Sequence, residues 1–216
     1  QWLSVAFTLR LSGQLAVPSW QSLSTSLIPK LAGPCLVAQF RPISVCNCMQ
    51  RLLGRILLSR LQPWLADFEM NQFGGRPGVR GSDAQHSLHL LMSRAHQWKL
   101  PFHALSLDLR RAFDRIPRSA VYESLLARGV PASLVQSISF ELESVKMEVR
   151  FANFHVASQF MQVGVPQGRA ESPALFICAL DFLLRPVLAK WEDAGLGFSL
   201  VGGLTGDVKP SCCSTV

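Results

Sequence analysis

The chain has 216 residues, of which 49% are hydrophobic and 16% are charged, and its net charge is +7 at neutral pH. This length and composition allow a sizeable buried core, in one domain or two subdomains, and they exclude an intrinsically disordered chain. The six cysteines include no Cys-x-x-Cys spacing and indicate no disulfide framework, so a reducing, intracellular compartment is expected.

The excess positive charge is concentrated in the first part of the chain. Residues 1–100 contain ten Lys and Arg against three Asp and Glu, which gives +7, whereas residues 101–216 contain eleven of each, which gives zero. Positive charge concentrated in this way favours contact with a phosphate backbone. For any single arginine, a solvated helix face is the commoner role.

No signal peptide and no membrane-spanning segment are predicted. The apolar stretch at residues 2–17 lacks a basic start. The longest later apolar run, residues 173–189, is interrupted by Asp181, Arg185 and Pro186, so it should not cross a bilayer. The chain begins with Gln rather than Met, and a fragment of a longer protein is therefore expected.

In the first half of the chain, the sequence predicts two helices separated by a glycine-rich turn. Residues 47–65 form an amphipathic pattern, with leucines and isoleucine on one face and arginines away from it. The glycine-rich turn covers residues 74–81. Ser82 and Gln85 then form a capping box for a second helix, at about residues 83–98.

A short apolar run in the middle of the chain ends on a carboxylate, Asp108. Residues 104–107 suit a buried strand, and the end of such a strand is where many α/β folds place their chemistry. An aromatic residue, Phe113, follows five positions later. One isolated aspartate carries little information by itself, so this segment gains meaning only together with others.

Three helices and one β-hairpin are predicted in the second half. The helices cover residues 118–128, 132–142 and 172–191, and the hairpin strands cover residues 146–151 and 155–163. Gly129 ends the first of these helices. The last helix is mostly apolar and is expected to be buried on most sides. The order of elements indicates an α+β fold, in which the hairpin leads into a loop at residues 164–168.

Five segments, taken in order, resemble the motifs of reverse transcriptases from non-LTR (LINE-type) retrotransposons. They are residues 18–30, 40–44, 71–82, 104–114 and 164–176. The resemblance runs from about residue 18 to residue 203. It implies a right-hand polymerase fold with a basic fingers region at residues 1–100, a palm at residues 101–203 and a divergent tail at residues 204–216, without a thumb.

The resemblance also implies roles for particular residues. Asp108 would be the catalytic residue and would hold Mg²⁺, together with the backbone carbonyl of Leu109. Phe113 resembles the steric gate that lies under the sugar and rejects a 2′-hydroxyl, a role favoured here over that of a simple core residue.

Further residues match the nucleotide-binding positions of the family. Lys30 and Arg41 match the two basic fingers residues that hold the triphosphate. Gln167 and Gly168 match the loop that supports the incoming nucleotide and the template. Glu171 departs from the residue usual at its position. Its expected role is that of an acid at a helix N-terminus, which the helix dipole favours.

The family's second catalytic motif, an aromatic-Ala-Asp-Asp hairpin, is not found. The 216 residues contain no Asp-Asp pair, and Asp207, near the expected place, follows Gly206 and precedes Pro210. The resemblance is therefore to a reverse transcriptase truncated before this motif. Its substrates would be an RNA template, a DNA primer and deoxynucleoside triphosphates. A single carboxylate is a weak two-metal site, so this chain is expected to be inactive.

Three alternatives remain open. The first is a non-catalytic nucleic-acid-binding remnant that uses the basic first hundred residues. The second is a product that folds poorly because the edge of its palm sheet is exposed. The third is a group II intron maturase or an RNA virus polymerase, which could share the Asp108 and Gly168 signals. The segments at residues 41–44 and 73–82 favour the retroelement.

Overall fold

A computed structural model of the chain describes residues 1–36, 39–65, 68, 72–76, 78–151 and 154–196, and for residues 41, 42 and 154–157 the backbone alone. It divides into two compact units, each built from two stretches of sequence. The first unit comprises Gln1–Ala66 and Arg111–Ala179, and the second comprises Asp67–Arg110 and Leu180–Val216. The predicted division at residues 100 and 203 stays a prediction.

The described residues contain both helices and strands. The helices are α1 (Trp2–Leu11), α2 (Pro18–Gln21), α3 (Cys48–Leu61), α4 (Gly81–Gln97), α5 (Ala112–Arg115), α6 (Arg118–Ala127), α7 (Ala132–Glu143) and α8 (Ser172–Asp193), with a 3₁₀ turn at Gln62–Trp64. The strands are β1 (Ser22–Pro29), β2 (Phe40–Val45), β3 (Lys146–Phe151) and β4 (Phe154–Phe160). This mixed architecture agrees with the α+β prediction.

The four strands form one sheet in the first unit, in the order β2-β1-β3-β4. The pairs β1–β2 and β3–β4 are antiparallel, and the central pair β1–β3 is parallel. The β3–β4 hairpin was predicted from its alternating sequence pattern. The pairing of β1 with β3 was not, since these strands are more than 100 residues apart and no local pattern relates them.

Helix α3 begins and packs as its sequence predicts. Asn47 Oδ1 accepts a hydrogen bond from the Gln50 amide at 2.8 Å, and Gln50 Oε1 accepts one from the Asn47 amide at 3.2 Å, which forms a capping box. The side chains of Leu53, Leu57 and Leu61 are buried. The helix is therefore amphipathic, and its exposed residues include the arginines at positions 51, 55 and 60.

Helix α4, in the second unit, begins two residues earlier than predicted. The backbone amide of Arg80 donates to Asp83 Oδ2 at 2.8 Å, so the carboxylate of Asp83 caps the helix start. The predicted capping box of Ser82 with Gln85 is wrong. Asp83 is the third residue of the observed helix, and a carboxylate in the first turn also interacts favourably with the helix dipole.

The strand predicted to end at Asp108 is wrong. Residues 101–109 have no regular secondary structure, and the side chains of Leu105 and Leu107 are 83% and 76% exposed. Among the described residues, the four strands pair only with one another. An apolar segment without a neighbouring strand gains no ladder hydrogen bonds and no packed face, so its composition alone does not produce a strand.

Helix α8 differs between its two halves. In the first half Leu175, Cys178 and Ala179 are buried, as predicted, but in the second half Leu183 and Trp191 are about half exposed. By length and composition, α8 is the one described helix that could cross a membrane, with a mean hydropathy of 1.6. Core helices of folded domains meet the same criterion, and the buried first half of α8 supports that interpretation.

Candidate nucleotide-contact loop

The loop between β4 and α8, residues 164–170, contains two glycines that no other residue could replace without strain. Gly164 has φ +84°, and an added Cβ would lie 2.5 Å from the Phe113 carbonyl oxygen. Gly168 has φ +94°, and an added Cβ would lie 2.5 Å from the Ser44 carbonyl oxygen. Both the positive φ and the close backbone contact therefore require glycine here.

The first part of the loop is held against the turn that contains α5. The Gly164 amide donates to the Ile116 carbonyl at 3.1 Å, and the Val165 amide donates to the Phe113 carbonyl at 2.9 Å. Arg118 Nε, at the start of α6, donates to the Gly164 carbonyl at 3.1 Å. Three hydrogen bonds thus fix the loop relative to residues 113–118, at the end of the family segment 104–114 and just after it.

Two of the residues predicted from the family, Gln167 and Phe113, lie in this loop and in the adjoining turn. The Gln167 side chain is exposed, and its Nε2 donates to Asp114 Oδ1 at 3.1 Å. The half-buried ring of Phe113 stacks on Phe176 of α8, with 4.6 Å between the ring centroids and 16° between the planes. This stacking holds the Phe113 ring in place. Its role as a steric gate stays a prediction.

The predicted triphosphate residues lie on the β1–β2 hairpin. Arg41 pairs with Ile28 across the hairpin, and the Lys30 amide donates to the Gln39 carbonyl at 2.8 Å. The backbone positions of Lys30 and Arg41 are therefore diagonal neighbours. The structure describes the backbone of Arg41 but not its side chain.

Strand β2 also supports the loop. Gly168 contacts Ser44 of this strand, and Cys46, just after it, donates from Sγ to the Gly168 carbonyl at 3.6 Å. Burial raises the pKa of the Cys46 thiol, which keeps it protonated as a donor. Ser44 is three residues from Arg41, which corresponds to roughly 10 Å along a strand. The backbone that approaches Gly168 closely is thus the protein's own, at Ser44.

A cluster of four buried charged residues lies next to the loop. Glu141 of α7 accepts from Arg10 Nε of α1 at 2.6 Å and from Arg169 Nη2 at 3.4 Å. Arg169 Nη1 donates in turn to Glu171 Oε1 at 3.4 Å. This cluster was not predicted from the sequence. The available signal was a charged residue, Arg10, within a mostly apolar stretch of sequence, since buried arginines are almost always paired.

Glu171 occupies the predicted place but has a different environment. It directly precedes α8, yet its side chain is buried, pairs with Arg169 and packs against Gly54 of α3, where any Cβ would collide with the carboxylate. Burial raises the pKa of Glu171, and the nearby Arg169 guanidinium opposes part of that rise. A buried ion pair, rather than the dipole of α8, is therefore the main interaction of this carboxylate.

The predicted metal ligands belong to the second unit. Asp108 and Leu109 are both exposed, and a carboxylate with a backbone carbonyl supplies the oxygen donors that Mg²⁺ prefers. Within the described ranges, however, no three His, Cys, Asp or Glu residues come together closely enough to hold a metal ion. Asp108 and Leu109 together offer one carboxylate and one backbone carbonyl to a metal ion.

Comparison with known proteins identifies the class to which this fold and loop belong. A family model described as reverse transcriptase (RNA-dependent DNA polymerase) matches residues 28–202. The chain is 32% identical over 186 residues to the retrovirus-related Pol polyprotein from type-1 retrotransposable element R2 of Popillia japonica. It is 29% identical over 161 residues to that from type-2 retrotransposable element R2DM of Drosophila melanogaster. These alignments cover 81% and 74% of this chain.

The chain therefore belongs to the reverse transcriptase family. It is a reverse transcriptase domain of the non-LTR retrotransposon type, which confirms the resemblance seen in the sequence, and the family implies a polymerase fingers and palm fold. The chain spans only 24% and 15% of the length of these two relatives. A probable RNA-directed DNA polymerase from transposon BS of Drosophila melanogaster is also similar, with 26% identity over 179 residues.

Proposed function

We propose that this chain binds, inside the cell, the substrates of RNA-directed DNA synthesis: the incoming deoxynucleoside triphosphate and the RNA template with its DNA primer. One observation carries the proposal. The loop with Gln167 and Gly168 is built directly on strand β2, and the same strand carries Arg41. Nucleotide-contact and triphosphate positions of the family thus share one rigid support.

Each site residue has a proposed role. Lys30 would bind the triphosphate as a point charge and Arg41 as a planar fork with several donors. Gln167 and Gly168 would contact the nucleotide, and Phe113 would lie under its sugar as the gate. The division into fingers at residues 1–100 and palm at residues 101–203 belongs to the same proposal.

Asp108 and the Leu109 carbonyl are the proposed Mg²⁺ ligands. A Mg²⁺ ion held by a complete set of ligands would supply charge stabilisation for phosphoryl transfer. Because these two donors form only part of a site, we propose binding rather than polymerisation as the activity of the 216-residue chain.

The purified chain should incorporate deoxynucleotides no faster than a control without protein. Incorporation well above that control, lost in Asp108→Asn, would contradict this part of the proposal.

The proposal is tested by titrating the purified chain with a deoxynucleoside triphosphate. Replacing Arg41 by Gln removes a charge-assisted contact, so the Kd should rise about tenfold or more. Arg150→Gln is the matched control, because Arg150 is an exposed arginine on β3 of the same sheet. The proposed function fails if the parent chain does not bind the triphosphate, or if the two variants weaken binding equally.

A non-catalytic nucleic-acid-binding protein is the second candidate, favoured by the +7 charge of residues 1–100. The exposed arginines of α3, at positions 51, 55 and 60, would then contact phosphates. Both candidates predict that binding of an RNA–DNA duplex weakens steeply as salt rises. They differ in that only a reverse transcriptase domain should also bind the free triphosphate.

A further inference from the structure

The four charged side chains beside the loop form one alternating chain from α1 to the start of α8. Arg10, Glu141, Arg169 and Glu171 are each at least 96% buried. Their order along the contacts is positive, negative, positive, negative, so the cluster is neutral when both carboxylates are ionised. Buried charges persist in folded proteins when they are paired in this way.

The end of the cluster at α1 is firmly attached to the scaffold. Besides Glu141, Arg10 donates to Ser144 Oγ at 2.9 Å and to the Leu15 carbonyl at 3.2 Å. Its guanidinium also lies 4.7 Å from the centroid of the Phe140 ring. Arg10 thereby fixes the Glu141 carboxylate in one position on α7, where it can serve as an anchor for a second arginine.

The other end of the cluster is part of the loop. Arg169 directly follows Gly168, so the two ion pairs of Arg169 with Glu141 and Glu171 restrain the backbone next to a predicted nucleotide contact. Arg169 Nε and Glu171 Oε2 are buried without a hydrogen-bond partner among the described residues. The loop end therefore depends on these ion pairs more than the Arg10 end does.

Glu171 extends the same restraint to α3. Its carboxylate occupies the space left by the missing side chain of Gly54. Rotation of the chain at Gly168 would have to withdraw the buried Arg169 guanidinium from two carboxylates. The conformation of Gly168 is consequently determined from two sides: by Ser44 of β2 and the following Cys46, and by Arg169 in the cluster.

We infer that Arg169 and Glu171 are positioning residues, which hold Gln167 and Gly168 in the conformation that receives the nucleotide. This inference rests on the proposed function of the loop. Neither residue is placed in contact with the nucleotide, since both side chains are buried behind the loop.

Cys46 provides a direct measure of loop position. It is buried and contacts the Gly168 carbonyl, so local displacement of the loop should expose its thiol. Cys178, buried in α8, reports opening of the fold as a whole. The full chain is alkylated with iodoacetamide, and mass spectrometry of its peptides measures the labelling rate of each cysteine. The quantity compared is the ratio of the Cys46 rate to the Cys178 rate.

The inference predicts the result for Arg169→Met, which removes both ion pairs of the loop end. The ratio of Cys46 to Cys178 labelling should rise about tenfold or more, because local opening becomes easier than global opening. The Kd for a deoxynucleoside triphosphate should rise about tenfold or more, since misplaced contact groups bind poorly. Arg169→Lys, which keeps the charge without the fork, should lie between the parent and Arg169→Met on both measures.

Leu125→Ala is the control for general destabilisation, because Leu125 is buried on α6 and does not belong to the cluster. It should accelerate labelling of both cysteines by similar factors and leave the triphosphate Kd unchanged. If Arg169→Met does not fold, the double variant Arg169→Met with Glu171→Leu replaces both charges of the loop end together and leaves Arg10 paired with Glu141. It should fold and show the same rise in both measures.

The possible results separate the inference from the proposed function. If the ratio of labelling rates in the Arg169 variants equals that of Leu125→Ala, the positioning role is overturned. If the ratio rises but the triphosphate Kd does not, the cluster positions the loop without serving nucleotide binding, and the inference is equally overturned. If the parent chain does not bind the triphosphate at all, the proposed function fails, and the labelling ratio still decides whether the cluster holds the loop.

Discussion

The loop at residues 164–170 and the segment at residues 104–109 carry the two strongest family motifs, and the structure builds them in opposite ways. The loop is attached by backbone hydrogen bonds, two required glycines and a buried ion cluster. The Asp108 segment has no regular structure, and its leucines face solvent. The loop has backbone and side-chain partners on several neighbouring elements. The segment at residues 104–109 belongs to no sheet among the described residues.

The largest expected effect comes from breaking the support of the loop. Glu141→Gln should lower the free energy of unfolding by about 3–5 kcal/mol, because Arg10 and Arg169 are left buried without the charge that both of them contact. Urea unfolding measures the loss. Glu123→Gln, an exposed carboxylate on α6, is the control and should change stability by less than about 0.5 kcal/mol. Equal losses in the two variants would show that the cluster does not stabilise the fold.

The next effect tests the glycine requirement of the loop. Gly164→Ala should cost more than the roughly 1–3 kcal/mol of backbone strain at positive φ, because the added Cβ also meets the Phe113 carbonyl. Gly33→Ala is the matched control, since Gly33 has φ +68° and nothing within 4 Å of an added Cβ. The difference between the two variants in urea unfolding isolates the contact. A difference near zero would mean that the loop can move away from the turn.

A smaller effect concerns pH. Burial raises the pKa of Glu171 above its ordinary value of 4.5, while Arg169 from the loop opposes the rise and Glu141 from α7 supports it. Below pH 4.5 the carboxyl is protonated in both states, so its contribution to stability is fully present. As the pH rises, Glu171 loses its proton first in the unfolded chain, so its contribution to stability falls. The fall ends once the pH has passed the pKa of Glu171 in the folded protein.

Glu171→Gln should therefore flatten the dependence of stability on pH. Urea unfolding of both proteins at pH values from about 4 to 8 measures this. Relative to the variant, the parent should lose stability as the pH rises through this window. Parallel curves for the two proteins would contradict a raised pKa for Glu171.

The smallest effect belongs to the Asp108 segment. Leu107→Ser should change the free energy of unfolding by less than about 0.5 kcal/mol, because this side chain is 76% exposed. Leu125→Ala, in the core, should cost about 2–5 kcal/mol. If Leu107→Ser costs as much as Leu125→Ala, then residues 104–107 form the buried strand that the sequence predicted, and the contrast between the two regions disappears.

The parts that sequence reasoning found depend on near neighbours. Asn47 and Gln50 determine the start of α3 by hydrogen bonds over three residues, and Gly129, at φ +79°, follows the end of α6 as predicted. The β3–β4 hairpin follows from an alternating pattern around a short turn. The capping box predicted for α4 was wrong even though capping is local, because the helix begins two residues earlier than predicted and the carboxylate of Asp83 caps it.

The candidate site was predicted in part. Gln167 and Gly168 were identified through the family motif, and the structure brings them together with Phe113 and with the strand that carries Arg41. The residues behind them were missed. Arg10 and Glu141 are 131 positions apart in sequence, and neither belongs to a motif, so nothing local indicates that they meet.

The sequence by itself determined the approximate extent of five of the described helices, the β3–β4 hairpin, and the order of motifs that places the chain among reverse transcriptases. Each of these depends on backbone preferences, on hydrogen bonds between near neighbours, or on residue order. The tertiary structure alone decided that β1 pairs with β3, that four distant charges meet behind the loop, and that the Asp108 segment is not a strand. These outcomes depend on partners distant in sequence, because the burial and pairing that stabilise a strand or a buried charge exist only once the chain has folded.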